Sequence, residues 1–155
     1  MTERGRPARP FSDAQVRRYS RQILLPTVGG HGQAALLAAE VAVDVDGVGG
    51  RIAAMLLAAA GVGRLVLDGA LDRRLSADDI GFPFTADDRG YTLGEAMAAH
   101  LAARNPDVAV VLARTRPAPC LRIDDDGPTL PLAAAFARAG AAASALTLAL
   151  IARAP

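Results

Sequence analysis

Apolar positions recur along this chain with two periods, and the switches between them outline its elements. Ser12-Asp13-Ala14-Gln15 has the form of a capping box, and Val16, Tyr19, Ile23 and Leu24 behind it fall on one helical stripe that Pro26 ends. A second short helix is expected over 32–39. Val41-Ala42-Val43-Asp44-Val45 places β-branched residues at every second position, as a strand demands. Residues 51–60 contain no helix breaker and run into Gly61, which predicts a buried helix; Leu65-Val66-Leu67 predicts a buried strand after it. Strand, glycine turn, helix and strand make a right-handed βαβ unit with parallel strands. Farther on, Thr92 and Glu95 form another capping box for a helix reaching Arg104, and Asn105-Pro106 breaks it. A third strand is expected over 108–112 and a short fourth over 120–123. Segments 114–119 and 124–128 read as loops, and there is no internal repeat. The stretch 132–152 approaches the length of a bilayer-spanning helix, yet it is mostly alanine and carries Arg138 near its start. The expectation is therefore a buried helix packed closely on a sheet, and no membrane span.

A chain of 155 residues suits one domain with a real core. A flexible tail is expected over 1–11 and a single domain over 12–155, built as a three-layer α/β sandwich with a reduced, mainly parallel sheet. Seventeen basic residues, all arginine, against 16 acidic ones give no global field to attract nucleic acid or an anionic membrane. Arg4, Arg6 and Arg9 lie in the tail. The single Cys120 excludes an intrachain disulfide and reads as a packing residue; without paired Cys-x-x-Cys motifs no zinc is expected. His31 and His100 have no partner at metal-ligand spacing and read as structural. The polar N-terminus lacks the apolar core of a signal peptide, so the expected location is cytoplasmic.

Arg18-Tyr19-Ser20-Arg21-Gln22-Ile23, followed by the strand, the glycine turn and Ala58-Ala59-Ala60-Gly61-Val62-Gly63, resembles the opening of the ThiF/MoeB/HesA family. These are bacterial relatives of ubiquitin-activating enzymes that adenylate the C-terminus of small ubiquitin-fold proteins. The resemblance covers residues 12–113 and, less completely, 130–152. It implies a Rossmann-like domain with an N-terminal helical arm, ATP and magnesium as the family's ligands, and assembly as dimers.

The glycine turn has two registers against this family. One starts at Gly47 and uses Gly49, with Ile52 in the third place. The other starts at Val45 and uses Gly47 and Gly50, runs without a gap from Arg18 to Gly63, and is preferred. In it Val45 stands where a tight-turn glycine is expected, and the Asp46 carboxylate would repel a triphosphate. Asp68, 21 residues after Gly47, corresponds to the family's ribose-binding acid, or equally caps the following loop. The family's phosphate-contacting arginine becomes Ile80 and its lysine becomes Leu93. Arg73, Arg74 and Arg89 are either replacement cations or solvated side chains. The family's magnesium-binding Thr-Asp-Asn strand has no counterpart, and Asp124-Asp125-Asp126 is either a substitute or a solvated turn.

Arg21 matches the arginine that the family's arm extends to the nucleotide phosphates of the neighbouring subunit. The alternative is that Arg18 and Arg21 merely dock a helix on the dimer partner. The favoured expectation is a catalytically degenerate subunit without a cofactor of its own. It forms a homodimer, or a heterodimer with a full-length ThiF/MoeB-like protein, and supports or scaffolds adenylation of a ubiquitin-fold carrier or peptide C-terminus. The alternative is a minimal ATP- and magnesium-dependent adenylyltransferase using Asp68, Arg21 in trans, and Arg73 or Arg89. A dinucleotide-binding oxidoreductase module is disfavoured by Val45 and by an arm such enzymes do not need.

Overall fold

The computed structural model describes residues 11–113, 120–123 and 132–153. Residues 1–10 of the tail expected over 1–11, the loops at 114–119 and 124–128, and Leu130-Pro131 lie outside the described residues. Phe11, placed at the end of the tail by the sequence, is buried.

Helix α1 spans Asp13–Ile23 and opens with the expected capping box. The Gln15 amide donates to Ser12 Oγ at 3.2 Å and the Ser12 amide donates to Gln15 Oε1 at 3.0 Å. Only part of its predicted stripe faces inward. Tyr19 is 1% exposed, whereas Val16 is 47% and Leu24 81% exposed. Helix α2, Gly29–Ala38, starts three residues before the expected boundary and leads into β1, Glu40–Asp44.

Helix α3 runs Val48–Ala60 with Gly47 as N-cap, beginning before the predicted Arg51 because Gly49 and Gly50 form its first turn. It ends at Gly61, whose φ of 89° is the left-handed cap that glycine adopts without strain. Strand β2, Arg64–Asp68, follows. Helix α4, Leu93–Arg104, is capped by Thr92 and Glu95 as expected and leads to β3, Ala109–Leu112. Two short 3-10 turns, Ala77–Asp79 and Ala86–Asp88, punctuate the β2–α4 connection.

The three strands are all parallel in the order β1-β2-β3. The expected fourth strand shrinks to a single bridge between Leu121 and Val43, on the outer side of β1. Val41, Val43, Leu65 and Leu67 point to one face and join Leu57, Met97 and Leu101 in the main core. On the other face Ala42, Val66 and Val111 are only partly buried. This is a Rossmann-like α/β fold with a reduced parallel sheet and an N-terminal helical arm, as expected.

Helix α5, Leu132–Ala152, packs on α3 and α2 through Ala135, Ala139 and Ala143. The small side chains permit the close approach, and beyond that stripe Leu146, Leu150 and Ile151 pack only partly buried against the main core. The most apolar stretch of α5 has a mean hydropathy of 1.6 and only 17% of it is buried, so the expectation of a buried helix holds for one side alone. By length and composition α5 is long and apolar enough to cross a membrane.

Candidate functional site

The carboxyl ends of β1 and β2 and the first turn of α3 converge where a nucleotide-binding βαβ unit keeps its ligand. Gly50 identifies the working register. A Cβ there would lie 1.8 Å from the Asp44 carbonyl oxygen, so only glycine lets α3 approach β1 this closely. That is the third-glycine role, and it sets Val45 in the tight-turn place. Val45 is fully buried, has no positive φ, and donates its amide to the Asp68 carbonyl at 3.0 Å. That bond holds the first residue after β1 against the end of β2.

Asp46 closes the turn from the other side. Its Oδ1 accepts the Ala70 amide at 2.6 Å, and the carboxylate lies directly over Gly69, where a Cβ would come within 2.6 Å of it. Gly69 has φ of 126°, so the β2–α4 connection bends towards Asp46 at the position where only glycine does so easily. The Asp46 amide in turn donates to Asp44 Oδ1 at 3.1 Å.

Asp44 and Asp68 are register partners on adjacent strands, and both side chains are buried. Asp44 Oδ2 meets the Arg122 guanidinium at 2.8 Å. Asp44, Asp46 and Asp68 thus all lie at the carboxyl ends of β1 and β2. The sequence reading singled out Asp46 and Asp68 but missed Asp44 and Arg122. Asp44 gave a signal, an acid ending an otherwise apolar strand, whereas its pairing with Arg122 depends on the Leu121 bridge.

Arg51, unremarked in sequence, holds the turn from beneath. It is 8% exposed; its Nε donates to the Val45 carbonyl at 3.0 Å and its Nη2 to the Asp46 carbonyl at 2.7 Å. The guanidinium stands 5.2 Å from the Phe84 ring centre and 3.8 Å from Asp79. Asp79 is forked by Arg73, with both oxygens at 2.8 Å. That fork, helped by the Ser76 amide and hydroxyl, holds the Asp79 carboxyl far below the usual carboxylate range and pushes Arg73 up. Arg74 donates to the Gly90 carbonyl. Ile80 is a half-exposed residue ending the first 3-10 turn, and Leu93 is fully buried at the start of α4.

A cavity of about 590 Å³ lies beside the turn, lined by Gly69, Leu71, Asp72, Leu112 and Ala113. None of Val45, Asp46, Gly47 or Gly50 lines it. No cluster of three metal-ligating side chains occurs among the described residues. Cys120 is part-buried, and His100 pairs with Asp88 at 3.0 Å.

The arm sits at the opposite end of α3. Tyr19 Oη accepts from Asn105 Nδ2 at 2.8 Å, and the same amide donates to the Ala58 carbonyl at 2.7 Å. Burial raises the Tyr19 pKa above its ordinary value. Arg18 pairs with Asp107 at 3.0 Å, and Gln22 donates to the Ala59 carbonyl. Gln33, fully buried below Gly61, donates to the Ala60 carbonyl while its Oε1 has no partner. These bonds dock α1 on its own subunit and leave Arg21 exposed. The 13 residues of α3 put about 20 Å between the arm and the glycine turn. Arg21 and the pair Gly47 and Gly50 are thus not brought together within one chain.

No protein-family model matches the chain. It is similar to the sulfur carrier protein ThiS adenylyltransferase of Escherichia coli (strain K12), 36% identical over 106 residues, 68% of this chain and 42% of that protein. It is also similar to the adenylyltransferase and sulfurtransferase MOCS3 of Bos taurus, 51% identical over 61 residues, 39% of this chain and 13% of that protein. The crystal structure of selenomethionine PaaA matches with a TM-score of 0.60 at 28% identity, over 72% of this chain and 37% of that one. The chain spans less than half the length of each of these proteins.

Proposed function

We propose, taking as premise that the chain is a partial-length relative of the ThiF/MoeB/HesA adenylyltransferases, that it is a catalytically degenerate subunit of that kind. It dimerises, with itself or with a full-length ThiF/MoeB-like protein, and supports or scaffolds a partner that adenylates the C-terminus of a ubiquitin-fold sulfur carrier or a peptide. The relative in Escherichia coli is an adenylyltransferase of the sulfur carrier protein ThiS, which motivates the substrate class.

One observation carries the reading. Asp46, hydrogen-bonded to the Ala70 amide over Gly69, fills the space beside the turn with negative charge. Buried Val45 keeps the backbone closed, Leu93 offers no cation, and Arg73 is committed to Asp79. These residues do not fit a nucleoside triphosphate. Gly47, Gly50 and Asp68 are then the relics of a nucleotide site: Gly50 still packs the helix on the strand, and Asp68 is buried at the end of β2. Arg21, exposed and about 20 Å from its own turn, is the group this subunit offers to another one.

The test is isothermal titration with MgATP together with pyrophosphate exchange. The isolated chain is expected to show neither binding nor exchange. Tight binding with exchange dependent on Arg21 would instead establish the minimal adenylyltransferase.

A further inference from the structure

We infer that the cavity between Arg74 and Arg89 binds a carboxylate monoanion carried on an apolar or aromatic group, at a site separate from the glycine turn. The inference does not depend on the reading above.

The sequence offers Arg73, Arg74 and Arg89 as replacement cations or solvated side chains, and the structure divides them. Arg73 is forked onto Asp79, whereas Arg74 and Arg89 line one cavity of about 500 Å³ together with Gly90, Tyr91, Thr92 and Glu95. No residue of 45–50 lines it. The walls are fixed by backbone: Arg74 and Thr92 form an antiparallel bridge, flanked by the Leu75 amide donating to the Tyr91 carbonyl at 2.9 Å and the Leu93 amide donating to the Arg73 carbonyl at 2.8 Å. Arg74 donates through Nη1 to the Gly90 carbonyl, which holds its guanidinium at the cavity wall. Arg89 is exposed and has no hydrogen bond or ion pair among the described residues, so its whole fork of donors is open. A planar fork matches the two oxygens of a carboxylate. Tyr91, 58% exposed, adds an aromatic wall for the group that carries the acid.

Glu95 decides which anion fits. Its Oε2 accepts the Thr92 amide and hydroxyl, both at 2.9 Å, and these bonds hold its carboxyl below the ordinary value, so it is ionised near neutral pH. They also cap α4 with the chain's own groups, so the arginines and not the helix end supply the attraction. Two guanidiniums and one carboxylate leave the lining with a single net positive charge, which balances a monoanion but not a dianion. Asp88, next to Arg89 in sequence, is turned instead to His100 at 3.0 Å and to Thr85.

The test is an NMR titration of the full chain at about pH 7.5, with N-acetylphenylalanine as probe, its amide as uncharged control and phenyl phosphate as a dianion. The acid is expected to bind saturably with a Kd of about 1 mM or tighter and to shift the Gly90, Tyr91 and Thr92 amides. The amide and phenyl phosphate should bind at least about tenfold more weakly. Arg89→Gln, at an exposed position, should weaken the acid at least about tenfold with an unchanged melting temperature, and Arg89→Lys should not restore it. Glu95→Gln keeps a capping-box residue and should tighten the acid about fivefold while admitting phenyl phosphate. A short peptide ending in Gly-Phe with a free carboxyl separates two sources of the acid: binding tighter than the small probe assigns the site to a polypeptide C-terminus, and equal or weaker binding to a free small acid. Absence of saturable binding, equal binding of the amide, or undiminished binding to Arg89→Gln overturns the site. Phenyl phosphate bound by wild type more tightly than the acid overturns the ligand class.

Discussion

Replacing Asp46 by asparagine isolates the electrostatic half of the nucleotide argument. Asparagine has the same size and keeps an Oδ1 to accept the Ala70 amide, now 2.6 Å from the carboxylate. The turn stays closed and loses only the charge-assisted part of one hydrogen bond, about 1 kcal/mol, which lowers the melting temperature by about 2–4 °C in a chain of this size. The effect on a phosphate is larger. At a separation of about 5 Å and an effective dielectric constant of about 20, a full negative charge raises the energy of each phosphate charge by about 3 kcal/mol. Asp46→Asn should therefore tighten MgATP binding by about two orders of magnitude. Adding Val45→Gly removes the steric part at a cost of about 3–4 kcal/mol in stability, because a fully buried side chain is lost and glycine loosens the unfolded chain. Affinity is expected to rise from wild type to Asp46→Asn to the double variant, and stability to fall in the same order. Calorimetric titration with MgATP and thermal denaturation of the three proteins check both trends. If Asp46→Asn weakens binding, Asp46 supports a ligand instead of excluding one, and the reasoning fails.

Further outcomes follow from other contacts. Arg21→Ala should leave the melting temperature unchanged, Arg21 being exposed, but lower adenylation by a mixed assembly about a thousandfold; an unchanged rate in that assembly would make Arg21 a docking residue only. Gly50→Ala should destabilise by more than about 3 kcal/mol or prevent folding, since its Cβ meets the Asp44 carbonyl at 1.8 Å; a soluble variant with wild-type denaturant stability would refute the close approach. Asp79→Asn should cost about 1–3 kcal/mol at pH 7. The folded pKa of Asp79 is depressed, so its contribution is present above the unfolded value near about 4 and fades as the pH falls below it. Urea titrations at a series of acid pH values should show the gap between wild type and variant closing there. Asn105→Ala should cost about 2–3 kcal/mol by removing the bond to Tyr19 Oη and orphaning the Ala58 carbonyl, with a parallel rise in hydrogen exchange across α1.

The elements with strong local signals were legible. The Ser12–Gln15 and Thr92–Glu95 boxes, Gly61 as a left-handed cap and the βαβ order all stand where the residues put them. Boundaries moved where a local signal was ambiguous: Gly49 and Gly50 read as turn but begin α3, because Gly50 is chosen by the approach of α3 to β1 rather than by a bend. Burial was less legible, because periodicity shows which residues share a face but not what covers it. Val16 keeps the helical spacing of Tyr19 yet is 47% exposed, and α5 fully buries only its alanine stripe. At the site, Val45 and Asp46 were visible as departures from a glycine pattern. The bonds of Asp46 to Ala70 and of Arg51 to two turn carbonyls were not, since they join residues through the tertiary path of the β2–α4 connection.

The two ends of α3 do separate jobs, and the length of the helix keeps them independent. At its C-terminal end Asn105 and Gln33 satisfy the Ala58 and Ala60 carbonyls, and the bond from Asn105 to Tyr19 fixes α1 there. At its N-terminal end Val45, Asp46 and Arg51 satisfy the turn with the chain's own groups. Sites about 20 Å apart with no shared partners contribute additively, so filling the glycine turn costs the arm nothing. In the proposed reading, a chain of this build presents Arg21 in the geometry that the docking of α1 imposes, whatever happens at the glycine turn. The glycine turn at the start of α3 lies a full helix away from Arg21, which is why the proposed reading assigns the phosphate that Arg21 meets to another subunit.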